Sequence, residues 1–435
     1  MNIYRLTIYG VLFLVLLGGC RAYVLDAAQD DLRSSFHSGN YEATSKLMEK
    51  LESKNVYKSK DQVLFNLEYG TVLHFAGKYD SSITYFNRAE ELIEANYTKS
   101  ISQGAASLLL SDNALAYDGE EYENVYLNAF KALSFLHLGD MESALVESRR
   151  IAFKLEQLDI RLNGLASVLS RKDSTDIANW EPRKVNVQSS ALSRYLATVL
   201  YAKTGKFDDA RIEYDRLKLS LIEQDNVRRF YGPDVESLPE LYDADSYNLL
   251  VSAFTGLAPL KDQEDFRLFV EDDLYVKFSI PKMYMYDTEI NNIRVVVDET
   301  DVYYLNMIEE MDAVATDIFY AKRPIIYARA LARSVLKAGG TKAITKRARE
   351  EGEGWGILSF LLGIIGQEVS EKADLRGWQT LPGQSWLQVI NLAPGDHRIR
   401  IQYLDYEDRV LHEEFRSVRI RPQTRLELLE SIYSY

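Results

Sequence analysis

The single cysteine of this chain, Cys20, is the residue best placed for covalent chemistry. It follows an apolar stretch at residues 6–17 and two glycines, and Arg5 supplies a positive charge near the start. This order is typical of a secretory signal, which would cover residues 1–19. The apolar stretch is shorter than the ~20 residues that a membrane-spanning helix needs. We therefore predict that Cys20 begins the exported chain; an uncleaved anchor or a buried thiol are the alternatives.

The residues around the cysteine, Leu17-Gly18-Gly19-Cys20, resemble the lipobox of bacterial lipoproteins. The resemblance implies that a diacylglycerol is attached to the Cys20 sulfur, that cleavage occurs before this residue, and that its amine is acylated. One acyl chain holds a protein weakly at a bilayer, whereas two or more anchor it stably. We expect a lipid-anchored protein of the bacterial cell envelope that faces the periplasm. Arg21 favours the outer membrane, because an Asp at this position favours the inner one.

The charge of the chain argues against one class of partner. It carries 51 Lys and Arg residues against 65 Asp and Glu residues, for a formal net charge of −14. Contacts with phosphates dominate nucleic-acid binding, so we expect no nucleic-acid partner. An acylated Cys20 leaves no thiol for a disulfide, so packing alone must stabilise the protein in an oxidising compartment. The length of 435 residues is sufficient for two or three domains.

An internal repeat marks the first half of the chain. Glycine ends a helix well because it adopts the left-handed conformation, and four glycines each separate two helical patterns: Gly39, Gly77, Gly139 and Gly205. The sequence therefore predicts helical hairpins. These segments resemble tetratricopeptide repeats, in which Gly70, Phe86 and Ala89 occupy the small and aromatic positions. The longer spacings in this chain predict insertions, and a generic α-helical bundle is the alternative.

Residues 20–260 are thus predicted to form a helical-repeat domain with a concave face. Such arrays bind extended peptides or helices on this face. An open apolar groove would be a liability, so either a partner or the chain's own C-terminal segments should fill it, and the ample C-terminal chain favours the second. By family alignment the candidate partner-binding residues are Leu67, His74, Tyr126, Leu133 and Tyr195, beside Leu64, Thr71, Ala129, Leu136, Leu192 and Val199.

Residues 261–435 are predicted to form a smaller mixed domain. Helical periodicity predicts helices at 305–321 and 324–349, and the turn at Pro394-Gly395-Asp396 predicts a β-hairpin. The predicted fold class is therefore α+β, with an N-terminal tetratricopeptide-like (TPR-like) α-helical hairpin array followed by a smaller mixed α/β domain with an antiparallel sheet. β-rich composition and alternation predict strands at 274–280, 292–299, 385–392, 397–404 and 409–420.

One segment without charged residues, GWGILSFLLGIIG at 354–366, lies between two charged stretches. It is too short to span a membrane as a helix. Three alternatives remain for it: buried core, a contact in the repeat groove or between copies, and contact with the membrane surface.

Three stretches together, 116–150, 327–338 and 371–401, resemble an uncharacterised family of bacterial lipoproteins with tetratricopeptide-like helices. That family often carries Ala-Asp-Thr-Arg-Ser-Trp followed by Leu-Pro, and residues 373–378 here read Ala-Asp-Leu-Arg-Gly-Trp. The resemblance covers most of the exported chain and implies an envelope location, but no activity. In physical terms, Asp374 and Arg376 flank a bend that Trp378 packs beneath. They form either a structural corner or a corner that recognises a ligand.

We find no sequence motif that indicates catalysis. Thr341-Lys342 is in the wrong order for a phosphate-binding loop, and GQSWL at 383–387 lacks the second glycine of a nucleophile elbow. We predict no metal ion and no cofactor. The first hypothesis is a lipid-anchored scaffold whose repeat helices bind an envelope protein or a second copy of the chain. The alternative is an envelope protein that binds or hydrolyses peptidoglycan or another glycan.

The substitution Cys20→Ser removes the thiol on which the predicted lipid is built. We expect the protein to leave the membrane fraction and to keep its leader, because the lipid is the predicted anchor. Membrane fractionation and mass analysis of the native protein measure both effects. Arg21→Ser, one residue further on, is the matched control and should remain acylated. An unmodified thiol at Cys20 in the native protein would contradict the prediction.

Overall fold

The computed structural model describes residues 25–107, 112–170, 182–271, 274–337 and 372–434. Within these ranges a helical array precedes a region built mainly of sheets, so the predicted α+β class is confirmed. Cys20 and the segment 354–366 lie outside the described residues.

Helices dominate the described chain up to residue 224. Apolar side chains at helical spacing face inward, and α3, α5 and α8 are buried along most of their length. Gly70 lets the Phe86 ring approach closely, because a Cβ there would lie 2.9 Å from that ring. The helices are α1 (25–37), α2 (Tyr41–Ser53), α3 (Gln62–Phe75), α4 (Tyr79–Ser107), α5 (Glu121–His137), α6 (Met141–Glu156), α7 (Leu158–Ser170), α8 (Ala191–Lys203) and α9 (Phe207–Gln224).

The repeated glycines end the first helix of each hairpin, as the sequence predicts. In the hairpin of α3 and α4, the backbone N–H of Lys78 bonds the carbonyl of Leu73 at 2.9 Å, which is the long bond of a Schellman cap. Other residues adopt a positive φ only at a cost. The prediction of left-handed glycines is confirmed by φ angles of 72° at Gly39, 73° at Gly77, 77° at Gly139 and 80° at Gly205.

The second half of the described chain contains β1 (Leu249–Thr255), β2 (Leu260–Glu271), β3 (Leu274–Tyr284), β4 (Asn292–Val297), β5 (Asp301–Tyr304), β6 (Asn306–Glu310), α10 (Met311–Lys337), β7 (Gln384–Ile390), β8 (Gly395–Leu404), β9 (Val410–Ile420) and β10 (Glu427–Tyr433). One sheet has the order β10-β1-β7-β6, and it is mixed because β1 runs parallel to β10. The other, β5-β4-β8-β9, is antiparallel throughout. Strands β2 and β3 form a separate hairpin.

The mixed sheet lies between the helices and the antiparallel sheet. Leu250 and Phe254 of β1 belong to the core shared with the helices. Leu249, Val251 and Ala253 belong to the core shared with β4 and β8. Successive side chains of a strand point to opposite faces, so β1 supplies both cores and is buried at every residue. The described chain is therefore built in three layers.

Two local predictions are wrong. The helix predicted at 305–321 begins at Met311, because residues 306–310 pair with β7 as β6, and it runs on through Pro324 to Lys337 instead of ending before a second helix at 324. The turn at Pro394-Gly395-Asp396 does not close a hairpin, since β7 pairs with β1 and β6, whereas β8 pairs with β4 and β9. Both errors have the same cause: packing in the folded protein decides which strands pair, and local sequence reports this poorly.

Candidate functional site

The predicted concave face is covered by the chain itself. Helices α3, α5 and α8 present the five candidate residues on this face, and each is at most 1% exposed. The apolar and aromatic ones share a core with Trp378, Leu381 and Leu387 from the C-terminal half. The chain's own C-terminal half therefore fills the predicted groove, which is the alternative that the sequence analysis favours over a partner. The side chains that a partner cannot reach in this structure are Leu67, His74, Tyr126, Leu133 and Tyr195.

Arg376 ties the segment 374–380, which we call the inserted segment, to the helical array. Its guanidinium donates to the two carboxylate oxygens of Asp374 at 2.9 and 2.7 Å and to Asp61 at 2.9 Å. Two backbone carbonyls accept its remaining hydrogen bonds, at 3.2 and 2.9 Å. Burial would lower the pKa of Arg376, but the two carboxylates raise it above its ordinary value. All five N–H donors are used, which supports the structural corner and leaves none for a ligand.

Trp378 fills the centre of the concave face. Its indole N–H lies 2.9 Å from the hydroxyl of Thr71 and 3.1 Å from that of Thr380. Its ring packs against Phe86 and Phe130, with ring centroids 5.7 and 5.8 Å apart. A buried indole needs a partner for its single donor, and α3 provides one. The tryptophan therefore fixes the depth at which the inserted segment lies.

Glu123 of α5 accepts the backbone of the inserted segment. The N–H of Trp378 donates to it at 2.7 Å, and the N–H of Glu120 donates at 2.9 Å. The hydroxyl of Tyr117 donates to both of its oxygens, at 3.0 and 2.9 Å. Burial raises the pKa of Glu123 to about 7 in spite of these bonds. The Glu123 carboxylate thus accepts hydrogen bonds that these backbone donors would otherwise make to a neighbouring strand or to water.

Glu68 of α3 performs the same task for the next two residues. The backbone N–H groups of Gln379 and Thr380 donate to its carboxylate at 2.7 and 3.2 Å, and the Thr380 hydroxyl donates at 2.6 Å. Burial raises the pKa of Glu68 to about 7. Two buried carboxylates therefore satisfy three consecutive backbone donors at 378–380.

Glu309, on β6, makes a second polar contact between the two halves. It accepts hydrogen bonds from Tyr126 at 2.6 Å, from Ser190 at 2.7 Å and from Gln224 at 3.1 Å. The backbone N–H at the start of α8, that of Leu192, also donates to it, at 3.0 Å. Burial raises the pKa of Glu309 above its ordinary value. A single carboxylate thus joins the mixed sheet to α5, α8 and α9.

Glu430, on β10, joins the ends of two hairpin helices. One of its oxygens lies 2.8 Å from Nε2 of His74 and 2.9 Å from Nε2 of His137. Nδ1 of His74 lies 2.8 Å from the hydroxyl of Ser134. Burial would raise the pKa of Glu430, but the charge of His74 and the hydrogen bonds from both rings lower it to about 2. His74 is therefore a structural residue here rather than an exposed contact.

Sequence reasoning missed the four carboxylates that join the two halves. Glu68 and Glu123 could have been predicted from the sequence. Each lies three residues before a predicted concave-face residue, Thr71 or Tyr126, and therefore on the same helix face. The other two lie on strands, where the partner strands decide which face becomes polar. The four are Glu68, Glu123, Glu309 and Glu430.

The structure adds no metal or membrane site within the part of the chain that it describes. These residues contain no cluster of three or more His, Cys, Asp or Glu side chains able to hold a metal ion. Across the same ranges, none of the helices combines the length and apolarity that a membrane crossing requires. The buried carboxylates described above accept donors of this chain, so they do not favour the glycan alternative, which stays a prediction.

A comparison with protein-family models finds no match to this chain, and neither does a search of curated proteins. The resemblance to bacterial lipoproteins with tetratricopeptide-like helices therefore stays a prediction, as does the lipid on Cys20. Function has to be argued from the surfaces that the fold leaves accessible.

The substitution Arg376→Lys tests whether the inserted segment holds the two halves together. Lysine cannot span both carboxylates and both carbonyls, so we expect the free energy of unfolding to fall by about 2–4 kcal/mol. Urea denaturation of the purified chain measures this change. Arg419→Lys is the matched control, since Arg419 contacts both oxygens of Asp396 but is 66% exposed. Equal losses in the two variants would contradict the structural corner.

The substitution Glu430→Gln tests the contact between β10 and the two histidines. Because the pKa of Glu430 lies near 2 instead of 4.5, its charge stabilises the fold above pH 4.5, and this contribution is lost as the pH falls through about 2. We expect the variant to be less stable by on the order of 3 kcal/mol near pH 5, because the histidines attract Glu430 as charged partners only when they are protonated. The difference should shrink below pH 4.5 and vanish near pH 2.

Urea denaturation at a series of pH values measures this difference. Glu427→Gln, an exposed neighbour on the same strand, is the control and should follow the parent protein at every pH. A Glu430→Gln deficit that stayed constant down to pH 2 would refute the electrostatic explanation.

Proposed function

We propose that the protein is a lipid-anchored scaffold of the bacterial cell envelope that binds a partner protein through the outer faces of α6 and α9. The lipid on Cys20 would hold the protein at the outer membrane, facing the periplasm. The sequence predicts that the partner binds on the concave face. The chain's own inserted segment occupies that face, so we place the partner on the outer faces of α6 and α9 instead.

The observation that carries this proposal is a set of large apolar side chains exposed on the outer helices. Val146 and Phe153 of α6 lie seven residues apart and therefore on one helix face, as do Ile212 and Leu219 of α9. Together with Ile222 they are between 49% and 60% exposed. Exposed apolar side chains that cluster among polar ones mark interaction surfaces more often than scattered ones do.

Ion pairs place the two outer helices next to each other. Lys206, directly before α9, lies 3.4 Å from Glu142 in the first turn of α6. Arg194 of α8 reaches Glu156 of α6 at 3.5 Å and Glu213 of α9 at 2.9 Å. The exposed apolar residues of α6 and α9 therefore lie on two helices that both flank α8.

Charge favours a different protein over a second copy of the chain. The net charge of −14 makes two copies repel each other, whereas a partner with net positive charge is attracted. We therefore assign this surface to an envelope protein that presents apolar residues and carries net positive charge.

Site-specific crosslinking in intact cells tests the proposal. A photoreactive residue at position 153 should capture one defined protein, which is then identified by mass spectrometry. The double substitution Phe153→Asp and Leu219→Asp should reduce co-purification of that protein at least about tenfold, since two apolar contacts are lost and two charges are placed in the interface. Both positions are well exposed, so folding should be unaffected.

The control is Val302→Asp, because Val302 is 51% exposed on β5 of the antiparallel sheet, away from the outer helices. It should leave co-purification unchanged. Equal recovery of the partner with all variants, or crosslinks to a second copy of the chain alone, would contradict the proposed surface.

A further inference from the structure

A cavity of about 150 Å³ lies where α4, the residues at 112–120 before α5, α10, the β2–β3 hairpin and the residues at 372–376 meet. Four anionic side chains line it, against six cationic ones. This local excess of positive charge stands out in a chain whose net charge is −14. The cationic residues are Lys99, Lys261, Lys322, Arg329, Lys372 and Arg376.

The floor of this cavity is a buried ion triad. The two carboxylate oxygens of Glu120 lie 2.6 Å from the ammonium of Lys261 and 3.1 Å from that of Lys322. All three side chains are at least nine-tenths buried. The triad itself carries one positive charge in excess, which the carboxylate of Asp118 partly offsets at Lys322 and that of Asp374 partly offsets at Lys261.

The rim of the cavity carries three further cationic side chains. Lys99 and Lys372 are exposed and Arg329 is half-buried, and the charge of Lys372 also acts on Asp26. Asp118 also lines the cavity, but its charge acts on Lys322. The donors of Arg376 are already satisfied. A ligand that enters the cavity from solvent therefore meets these three cationic side chains first.

We propose that this cavity binds a small anionic molecule through its carboxylate or phosphate group. Lys99, Arg329 and Lys372 contact the oxygens of that group, and the charge of the Glu120–Lys261–Lys322 triad attracts it from below. A cavity of similar volume in another protein holds benzene, so a ligand core of about six non-hydrogen atoms fits. This site is separate from the outer faces of α6 and α9. A negative binding result at the cavity would therefore not affect the proposed partner surface.

Titration calorimetry of the purified full chain with two probes tests the site. Inorganic phosphate represents phosphate ligands, and glutarate represents small carboxylates. At least one should bind with a dissociation constant below about 10 mM. Arg329→Gln and Lys372→Gln should each weaken binding about tenfold, because each removes one charge-assisted contact. Higher salt should weaken binding as well.

Lys50→Gln is the matched control, since Lys50 is an exposed lysine on α2 that lies outside the cavity. It should not alter binding, and the unfolding midpoints of all variants should match that of the parent chain. If only one probe binds, the site is supported and its ligand belongs to that probe's class, phosphates or carboxylates. The proposal is overturned if neither probe binds at about 10 mM, or if Arg329→Gln and Lys372→Gln bind as tightly as Lys50→Gln does.

Discussion

The inserted segment at 374–380 is the constraint on which the rest of the described structure depends. It enters the concave face of a helical array that would otherwise expose a long apolar surface to water. Trp378 supplies the apolar contact with Phe86 and Phe130. Glu68 and Glu123 supply acceptors for the backbone that enters with it. Neither half is complete without the other, because each leaves groups that only the other satisfies.

The polar contacts between the two halves select their relative arrangement, and they contribute less to the free energy that holds the halves together. A buried carboxylate with its donors is often no more stabilising than an apolar substitute, but it is costly to leave unpaired. Glu309 accepts bonds from α5, α8 and α9, and Arg376 uses every donor that it has. A shift of the sheet relative to the helices by one residue would break several of these bonds at once. The contacts therefore select one arrangement.

This arrangement changes where function can reside. In a helical array with an open groove, ligands bind on the concave face, whereas here the chain itself has taken that position. The outer faces of α6 and α9 and the cationic cavity beside Glu120 are accessible. The inserted segment borders that cavity through Asp374 and Arg376, so the element that closes the groove also builds a wall of a new site.

The sequence by itself determined what depends on neighbours along the chain. The turn glycines such as Gly139 predicted the hairpins because a left-handed φ is a local property. The alternation at 397–404 predicted β8, although the strand is buried on both faces from Ile401 onward. The alignment with tetratricopeptide repeats also marked residues of a predicted concave face, such as Leu67 and Tyr195, and the structure buries them. Only the tertiary structure decided that Trp378 and Glu430 cover this face, that β1 pairs with β10 in parallel, and that residues 306–310 form a strand. The physical reason is that these contacts join residues far apart in sequence, and a local pattern records that a side chain is buried without recording what buries it.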